Sequence, residues 1–385
     1  IMTHRILFKT HSAVLGGAEL SLIDLAHNYR ETSEVLIFNH GPLENALQEK
    51  NIPVTVFPAS QNLLEVKTSS RLATLLSIPN LVKLAYRVGI KAQEGFDVIH
   101  VNSQKALVIA AIANQMTKLP PIVWHLRDIL TASHYSSLNR KVAVLLANRC
   151  ATRVIANSQA TATAFVKAGG NPELVEVVYN GISSEPFEAF TSQPNSKLRQ
   201  ELRIGAAPVI GVFSRLSFWK GQHLVLEALQ QLPEFHVVMV GDALFGETDY
   251  VDYLKSQVQE LGLGDRVHWL GFRRDIPELM KACDYIVHPS TEPEPFGRVL
   301  VEGLLAQRPV IAAAAGGALE IIQDGETGRL FLPNDANALF KSIQELHANP
   351  KQIEAVREKG YRHARLQFSL ESSLQSFSRQ LPAIA

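Results

Sequence analysis

The sequence predicts an α/β protein built from two doubly wound, parallel-sheet domains of the Rossmann-like kind. Short apolar segments rich in Val, Ile and Leu alternate with longer helical patterns along nearly the whole chain, which is typical of parallel sheets covered by helices. The alternation stops once, in the polar segment Ser183–Gly205, and then starts again. The length of 385 residues also fits two domains.

The first half of the chain is expected to form the first of these domains. Helical patterns separate its apolar segments and cover, for example, Glu19–Tyr29, Leu72–Lys91 and Arg140–Ala151. The segments expected as strands are Arg5–Thr10, Glu34–Asn39, Val54–Pro58, Asp97–Asn102, Ile122–Leu126, Arg153–Asn157 and Val175–Tyr179.

The second domain repeats this pattern after a linker that contains Pro186 and Pro194 and shows little periodicity. The sequence therefore predicts a first domain at 1–183, a linker at 184–206 and a second domain at 207–366. The strands expected in the second domain are Pro208–Ser214, His236–Val240, Val267–Leu270, Tyr285–His288, Val310–Ala313 and Arg329–Leu332.

Charge is unevenly distributed although the net charge is zero. Residues 1–180 contain 17 Lys and Arg against 12 Asp and Glu, whereas residues 181–385 contain 20 against 25. Two stretches, Val66–Gln93 and Ile129–Pro172, contain no acidic residue. Such a basic surface suits an anionic membrane or a lipid-diphosphate acceptor, and an ordinary solvated helix face has the same composition. Nucleic acid is a poor partner, because the basic residues are not interleaved with aromatic ones.

The composition favours a cytoplasmic protein. Any contact with the inner face of a membrane is expected to be peripheral. No uncharged apolar run approaches the roughly 20 residues that span a bilayer, and the beginning of the chain lacks a signal-peptide pattern. Cys150 and Cys283 lie far apart and show no metal-ligand spacing. We therefore expect a chain with reduced thiols.

The most informative segment is Glu294–Glu302, which reads E-P-F-G-R-V-L-V-E and lies between two predicted strands. It predicts a turn and then a helix at the carboxyl end of the sheet, where open α/β sheets bind their ligands. Backbone amides at Phe296 and Gly297 would favour a phosphate at the start of that helix.

The two carboxylates of this segment complete the pattern. Glu302, one to two turns into the helix, suits a vicinal diol such as a ribose, and Glu294 suits a second hydroxylated group. Two glutamates at this spacing alone would fit an exposed acidic loop, but the full string between two strands favours a nucleoside diphosphate sugar.

Cations and glycines elsewhere fit the same ligand. The segment S-R-L-S-F-W-K-G follows a predicted strand, and its Arg215 and Lys220 have the reach to bind a diphosphate. Gly16 and Gly17 follow the first predicted strand and permit close approach of a ligand to the backbone, or simply a tight turn. The chain has no G-x-G-x-x-G motif, so the sequence does not support NAD binding.

With these motifs the chain resembles the retaining glycosyltransferases of family 4, also called group 1, which have the GT-B fold of two Rossmann-like domains facing a central cleft. The resemblance is strongest from Val209 to Phe331. It implies that Arg215 and Lys220 stabilise the leaving nucleoside diphosphate, and that a C-terminal helix within 367–385 packs back on the first domain. The donor-binding residues indicated by the motifs and the resemblance are Gly16, Gly17, Arg215, Lys220, Phe272, Glu294, Phe296, Gly297, Arg298, Val299 and Glu302.

His125 lies in V-W-H-L-R-D, at the end of a predicted strand. Members of the family have a histidine at this position near the hexose, which implies a catalytic role beside Glu294, Arg215 and Lys220. Asp128 is placed either to orient this histidine or to approach the acceptor hydroxyl, and Arg127 is a candidate for binding an anionic acceptor. A lone histidine in a strand is otherwise more often structural. Arg298 departs from the family, where an aliphatic residue is frequent, and would add a cation near the diphosphate.

The expected reaction uses no metal and no other cofactor. The sequence has no D-x-D motif and no His or Cys cluster, so the cations and the helix amides would stabilise the leaving group. The resemblance implies retention at the anomeric carbon, and front-face substitution is expected because no carboxylate is placed to act as a nucleophile. The expected donor is UDP-glucose, with GDP-mannose as the rival, and the expected acceptor is lipid-linked or a polysaccharide.

Two other functions share this architecture. A nucleotide-sugar 2-epimerase would change only the donor, and a two-domain sensor would bind the donor without any reaction. The presence of Glu294, Glu302, Arg215 and Lys220 together argues against a sensor.

Overall fold

The computed structural model describes residues 4–59, 71–131, 135–189, 197–244 and 247–383, without the side chains of residues 71–77. The chain forms two compact units. One unit contains the chain up to Gly181 together with the residues from Leu370 onwards, and the other is Ile182–Ser369. None of the helices in the described ranges combines the length and the apolarity that a membrane span needs.

The first unit contains a parallel sheet in the order β3-β2-β1-β4-β5-β6-β7. The order reverses between β1 and β4, where Phe8 lies opposite His100. Ligands of such sheets bind at this reversal, beyond the carboxyl ends of the strands. The strands are Ile6–Lys9, Glu34–Ile37, Val54–Val56, Val98–Val101, Ile122–Leu126, Ala151–Ala156 and Val175–Val177.

Helices cover both faces of this sheet. One core, which includes Trp124 and Phe165, lies under the helices α3, α4 and α5, and the other, which includes Phe8 and Phe377, lies under α1, α2 and the C-terminal helix. The helices α1 to α6 are Gly17–Asn28, Pro42–Glu49, Arg71–Ala92, Gln104–Met116, Ser137–Cys150 and Gln159–Lys167.

The second unit has the same topology over six parallel strands, in the order β10-β9-β8-β11-β12-β13, and its order reverses between β8 and β11. The strands β8 to β13 are Val209–Phe213, His236–Val240, Val267–Gly271, Tyr285–His288, Val310–Ala313 and Arg329–Phe331. The helices α7 to α15 are Glu185–Glu188, Lys197–Glu201, Gln222–Leu229, Thr248–Glu260, Ile276–Ala282, Arg298–Leu305, Ala318–Ile321, Ala336–His347 and Pro350–Gln367.

All thirteen predicted strands form, most of them shorter by a residue or two at their ends. The fold prediction of two doubly wound parallel sheets is therefore confirmed. Strands of this kind are buried on both faces and read as continuous apolar runs, which makes them visible in a single sequence.

The segment predicted as a linker differs from that expectation where the structure describes it. The short helices α7 and α8 belong to the second unit. Arg199 of α8 is buried and donates hydrogen bonds to Ala207 O at 2.8 Å and to the Asp284 carboxylate at 2.5 Å. The segment reads as a linker because its two helices are only four and five residues long and bury few side chains, among them Phe187 and Leu198 beside Arg199. Residues 190–196 of the predicted linker lie outside the described residues.

The last helix, α16 at Leu370–Gln380, belongs to the first unit. It packs against α1, and Phe377 is fully buried between Tyr29, His100 and His125. Ser373 donates a hydrogen bond to Tyr179 O at 2.7 Å. This helix therefore covers the region around β4 and β5, where several of the predicted functional residues lie.

Candidate functional site

Two loops meet at the strand-order reversal of the second unit. The first follows β8 and ends in a short 3-10 helix, Phe218–Lys220, and the second follows β11 and carries Glu294. Gly221 has a φ of 72°, and a Cβ on it would lie 2.0 Å from Pro289 O. Thr291 N donates to Trp219 O at 2.8 Å. The loops are thus locked to each other through backbone contacts that only glycine permits at position 221.

Lys220 and Glu294 form an ion pair across this junction. The ammonium lies 3.0 Å from Oε1 and 2.8 Å from Oε2 of the carboxylate, and the side chains are only 11% and 13% exposed. The same ammonium lies 3.9 Å from the centre of the Trp219 ring, which the Arg215 guanidinium approaches to 5.5 Å. Two cations and one carboxylate predicted for donor binding are therefore brought together around one indole.

His288 and Ser290 complete the surroundings of the carboxylate. His288 Nε2 lies 3.0 Å from Glu294 Oε2, and Ser290 Oγ donates to the same oxygen at 3.1 Å. Burial by itself would raise the pKa of Glu294, but the Lys220 ammonium and the His288 imidazole hold the pKa of that carboxyl well below its usual range. The group is therefore an anion and accepts hydrogen bonds at any pH near neutrality.

Gly316 and Gly317 make close backbone contacts with the loop that carries Glu294. Gly317 N donates to Glu294 O at 2.7 Å. A Cβ on Gly316, whose φ is 61°, would lie 2.3 Å from that same oxygen, and a Cβ on Gly317 would lie 2.4 Å from Phe296 O. The backbone on both sides of Glu294 is consequently fixed without the help of a ligand.

The helix α12 starts where the sequence predicts a phosphate site. Gly297 precedes it with a φ of 98°. Phe296 has a buried ring that packs edge-on against Phe368 at 5.8 Å, so only its backbone is available to a ligand. Val299 is half-buried, and Phe272, at the end of β10, is 57% exposed.

Arg298 and Glu302 form an ion pair on α12. Arg298 Nε donates to Glu302 Oε1 at 2.8 Å. Arg298 was predicted to add a positive charge near the diphosphate. In the structure this charge is paired with Glu302, the residue predicted to bind a ribose. A ribose that bound Glu302 would share the carboxylate with Arg298.

In the first unit, Gly16 and Gly17 lie at the start of α1, as predicted. Glu19 is buried and accepts a hydrogen bond from Gly16 N at 3.2 Å. A Cβ on Gly17 would meet nothing within 4 Å, whereas one on Gly16 would lie 2.9 Å from Glu19 Oε2. Gly17 is exposed, so the protein itself gives no steric reason for a glycine there.

His125 lies within β5 and is 2% exposed. Its Nδ1 is 3.1 Å from His100 Nε2, and its ring stacks on Phe377 with 6.4 Å between centroids. Burial, and then the nearby Arg127 charge and His100, hold the pKa of His125 well below its usual range, and burial with the Arg127 charge lowers the pKa of His100 to about 3. The histidine predicted at a strand end therefore lies one residue before the end of β5, with a neutral and enclosed ring, and its role toward the hexose stays a prediction.

Arg127, predicted as a residue that binds an anionic acceptor, is also buried. Its guanidinium donates to Asn102 Oδ1 and Asn180 Oδ1, both at 2.6 Å. The side chain therefore ties three strand ends of the first unit together. Asp128, the other acceptor candidate, is exposed and accepts a hydrogen bond from the Tyr135 hydroxyl at 2.9 Å.

His288, Ser290 and His100 are not among the functional residues predicted from the sequence. A signal for the first two exists in hindsight: the string H-P-S begins at His288, the last residue of β11, at the same strand end as Glu294. Nothing in the sequence pairs His100 with His125, because that contact depends on the register of β4 beside β5.

Replacing His288 tests whether it orients the Glu294 carboxylate. We expect His288→Leu to lower kcat for hexose transfer roughly tenfold, since one hydrogen bond to a charged group is lost, while the Kd for UDP stays unchanged. His288→Gln retains an N–H at a similar reach and should recover most of the activity. Equal losses in both variants, together with loss of UDP binding, would show that His288 serves only the packing of the loop.

Gly17→Ala tests the glycine loop of the first unit. Because the added methyl meets no protein atom within 4 Å, we expect the free energy of unfolding to be unchanged or higher by up to about 1 kcal/mol. If the loop approaches the donor as predicted, KM for the donor should rise roughly tenfold. Gly264→Ala is the matched control, since its Cβ also meets nothing within 4 Å. Normal kinetics of Gly17→Ala would remove this loop from the donor site.

Known proteins resemble this chain over nearly its whole length. Residues 195–363 match the family described as Glycosyl transferases group 1, and residues 15–185 match the family described as Glycosyltransferase Family 4. HepE of Anabaena is 42% identical, over 98% of this chain and 99% of HepE. Its structure in complex with UDP and glucose superposes with a TM-score of 0.89, and that in complex with UDP-glucose with 0.88.

More distant proteins share parts of the chain or the fold. The lipopolysaccharide core biosynthesis mannosyltransferase LpcC of Rhizobium leguminosarum bv. viciae is 33% identical over 167 residues, which is 42% of this chain and 47% of LpcC. The match thus spans about half the length of that relative. Sucrose-phosphate synthase of Thermosynechococcus elongatus, at 19% identity, covers 98% of each chain with a TM-score of 0.80 and shows the shared fold.

Proposed function

This chain belongs to the group 1 glycosyltransferases with the GT-B fold, and on that premise we propose that it transfers glucose from UDP-glucose, with retention, to a lipid-linked or polysaccharide acceptor. The proposal includes a reaction without a bound metal and a role in polysaccharide biosynthesis. The observation that carries it is the buried Lys220–Glu294 pair at the strand-order reversal of the second unit.

The ion pair explains how one small region serves two parts of a donor. A diphosphate offers Lys220 more negative charge than one carboxylate does, so the ammonium would move to the phosphate oxygens. Glu294 would then have lone pairs available for the hydroxyls of a sugar, while His288 and Ser290 keep it in place. In this arrangement the diphosphate and the sugar are recognised together.

The proposed reaction breaks the bond from the anomeric carbon to the β-phosphate oxygen and forms a bond from that carbon to the acceptor oxygen. The acceptor proton passes to the β-phosphate, so the products are the glycosylated acceptor and UDP. Negative charge develops on the β-phosphate during transfer, where Lys220, Arg215 and the amides at the start of α12 would stabilise it. His125 would contribute only through a hydrogen bond that its neutral ring donates, and it would not take part in proton transfer in this scheme.

The identity of the donor rests on similarity. HepE, which is 42% identical over nearly its full length, has been crystallised with UDP-glucose. This supports UDP-glucose as the donor of this chain. A specific observation also favours a second candidate, GDP-mannose: LpcC, a mannosyltransferase by name, is 33% identical over 167 residues.

Calorimetric titration in EDTA tests the donor and the metal together. We would titrate UDP, GDP, UDP-glucose and GDP-mannose into the full chain. Tight binding of UDP and UDP-glucose in the presence of EDTA is the expected result. A preference for GDP-mannose would replace the donor, binding only after Mg²⁺ is restored would overturn metal independence, and silence toward all four would overturn the assignment of the site.

A further inference from the structure

Three helices of the first unit form a surface layer without any acidic residue. The helix α4 packs against both α3 and α5, and the three share one core under the sheet. Their sequences, Arg71–Ala92, Gln104–Met116 and Ser137–Cys150, contain no Asp or Glu. We call this layer the acid-free helix surface.

The helix α3 exposes a row of large apolar side chains. Ile78, Val82, Tyr86 and Ile90 are all exposed, and residues four apart lie on one side of a helix. The same helix buries a separate side that includes Leu84 and Val88. The exposed row is therefore an addition to the side of α3 that packs on the protein core.

The helix α5 repeats this arrangement. Leu138, which is 70% exposed, and the exposed Val142 and Leu145 lie on one side. Lys141 and Arg149 are exposed on that side as well, because their positions are within 60° of Leu138 at about 100° per residue. The core side of α5 carries Ala143, Val144 and Ala147 instead.

These exposed side chains are concentrated rather than scattered. Seven of the sixteen exposed large hydrophobic side chains in the described ranges belong to α3 and α5. Single exposed apolar residues are ordinary on a protein surface, but a contiguous set marks a surface that binds something.

We propose that the acid-free helix surface docks on an anionic lipid membrane, with the apolar rows of α3 and α5 inserted at the level of the headgroups. Lys83, Lys141 and Arg149 would face lipid phosphates, as would Arg87, whose guanidinium lies 4.2 Å from the centre of the Phe57 ring. A bilayer offers apolar depth and negative charge at one interface. A second copy of this chain fits poorly, because pairing two such surfaces would bring like charges together.

The charges of neighbouring residues agree with this choice. Lys91 is paired with Glu34 and Glu94, so it is not counted among the groups that face lipid. Lys67, which also belongs to the predicted basic stretch, lies outside the described residues, and the side chain of Arg71 is not described either. The proposal depends on neither.

Vesicle sedimentation of the full chain tests the proposal. The probes are vesicles of phosphatidylcholine alone and of phosphatidylcholine mixed with phosphatidylglycerol. We expect the wild-type chain to bind only the mixed vesicles. The double variants Leu138→Ser/Leu145→Ser and Lys141→Glu/Arg149→Glu should each bind at least about tenfold more weakly, the first through lost apolar contact and the second through lost charge attraction.

Matched controls change the same chemistry elsewhere. Leu332→Ser/Leu366→Ser removes two exposed leucines of the second unit, and Lys341→Glu/Lys351→Glu reverses two of its exposed charges. Both should bind like the wild type, and gel filtration and UDP titration should show that every variant is folded.

Four results would overturn the docking surface. They are no binding of the wild type to mixed vesicles, equal binding to both kinds of vesicle, normal binding by the leucine double variant, and a wild-type dimer in gel filtration that this variant converts to a monomer. The last would identify the surface as an interface between two copies. The vesicle measurement involves no nucleotide, so its outcome is separate from that of the proposed function.

Discussion

Glu294→Gln is expected to lower hexose transfer by roughly 1,000-fold, because the amide cannot accept two sugar hydroxyl protons in the geometry of the carboxylate. The affinity for UDP should stay the same or rise, since Lys220 no longer has to leave an ion pair in order to reach a phosphate. Steady-state kinetics with UDP-glucose and calorimetry with UDP measure the two effects.

The same variant should also be less stable in the absence of ligand. Loss of the carboxylate leaves the largely buried Lys220 ammonium without its counter-charge, which costs about 3 kcal/mol for a pair of this kind. UDP should therefore raise the melting temperature of Glu294→Gln more than that of the wild type. Near-normal turnover in this variant would show that Glu294 does not bind the reacting sugar.

Lys220→Met is expected to lose much of its affinity for UDP, whereas Glu294→Gln is expected to keep it. Methionine keeps most of the length of the side chain but removes the charged donor, so UDP should bind roughly 50-fold more weakly and kcat should fall by roughly 100-fold or more. Calorimetry with UDP, and transfer at saturating donor, separate binding from catalysis.

Lys341→Met is the matched control for this experiment, because Lys341 is an exposed lysine of the same unit. Its kinetics should equal those of the wild type. If Lys220→Met bound UDP normally and only its unfolding temperature fell, the lysine would be a structural partner of Glu294 and would have no role toward the diphosphate.

The elements that the sequence predicted well share one physical property. Strands such as Ile122–Leu126 and Val310–Ala313 are buried on both faces, so each is a continuous apolar run that needs no knowledge of its neighbours. The helix α8 was not predicted, because its five residues bury only Leu198 and the hydrogen-bonded Arg199, which is too short a pattern to show a helical period. From the sequence alone, a charged residue in a polar segment is predicted to be exposed to solvent.

The candidate residues divide in the same way. Arg215, Lys220 and Glu294 follow strands of one sheet, and the carboxyl ends of parallel strands meet at one edge, so their proximity was predictable. That Lys220 and Glu294 bind each other was not, because it depends on how Gly221 and Gly316 lock their loops. The pairing of Arg298 with Glu302 is instead a local contact, which a spacing of four residues in a helix makes predictable from the sequence.

The sequence by itself determined the two parallel sheets, the strand ends from which candidate residues extend, and the chemistry of a nucleoside diphosphate sugar site, because apolar runs and residue types are local properties. Only the tertiary structure decided which charges are paired, that Arg127 is buried, that His125 is enclosed against Phe377 of α16, and that the exposed apolar rows of α3 and α5 lie in one layer. These properties depend on contacts between segments that are far apart in the chain. Burial changes both the pKa and the accessibility of a side chain, and the residues next to it in the sequence do not reveal whether it is buried.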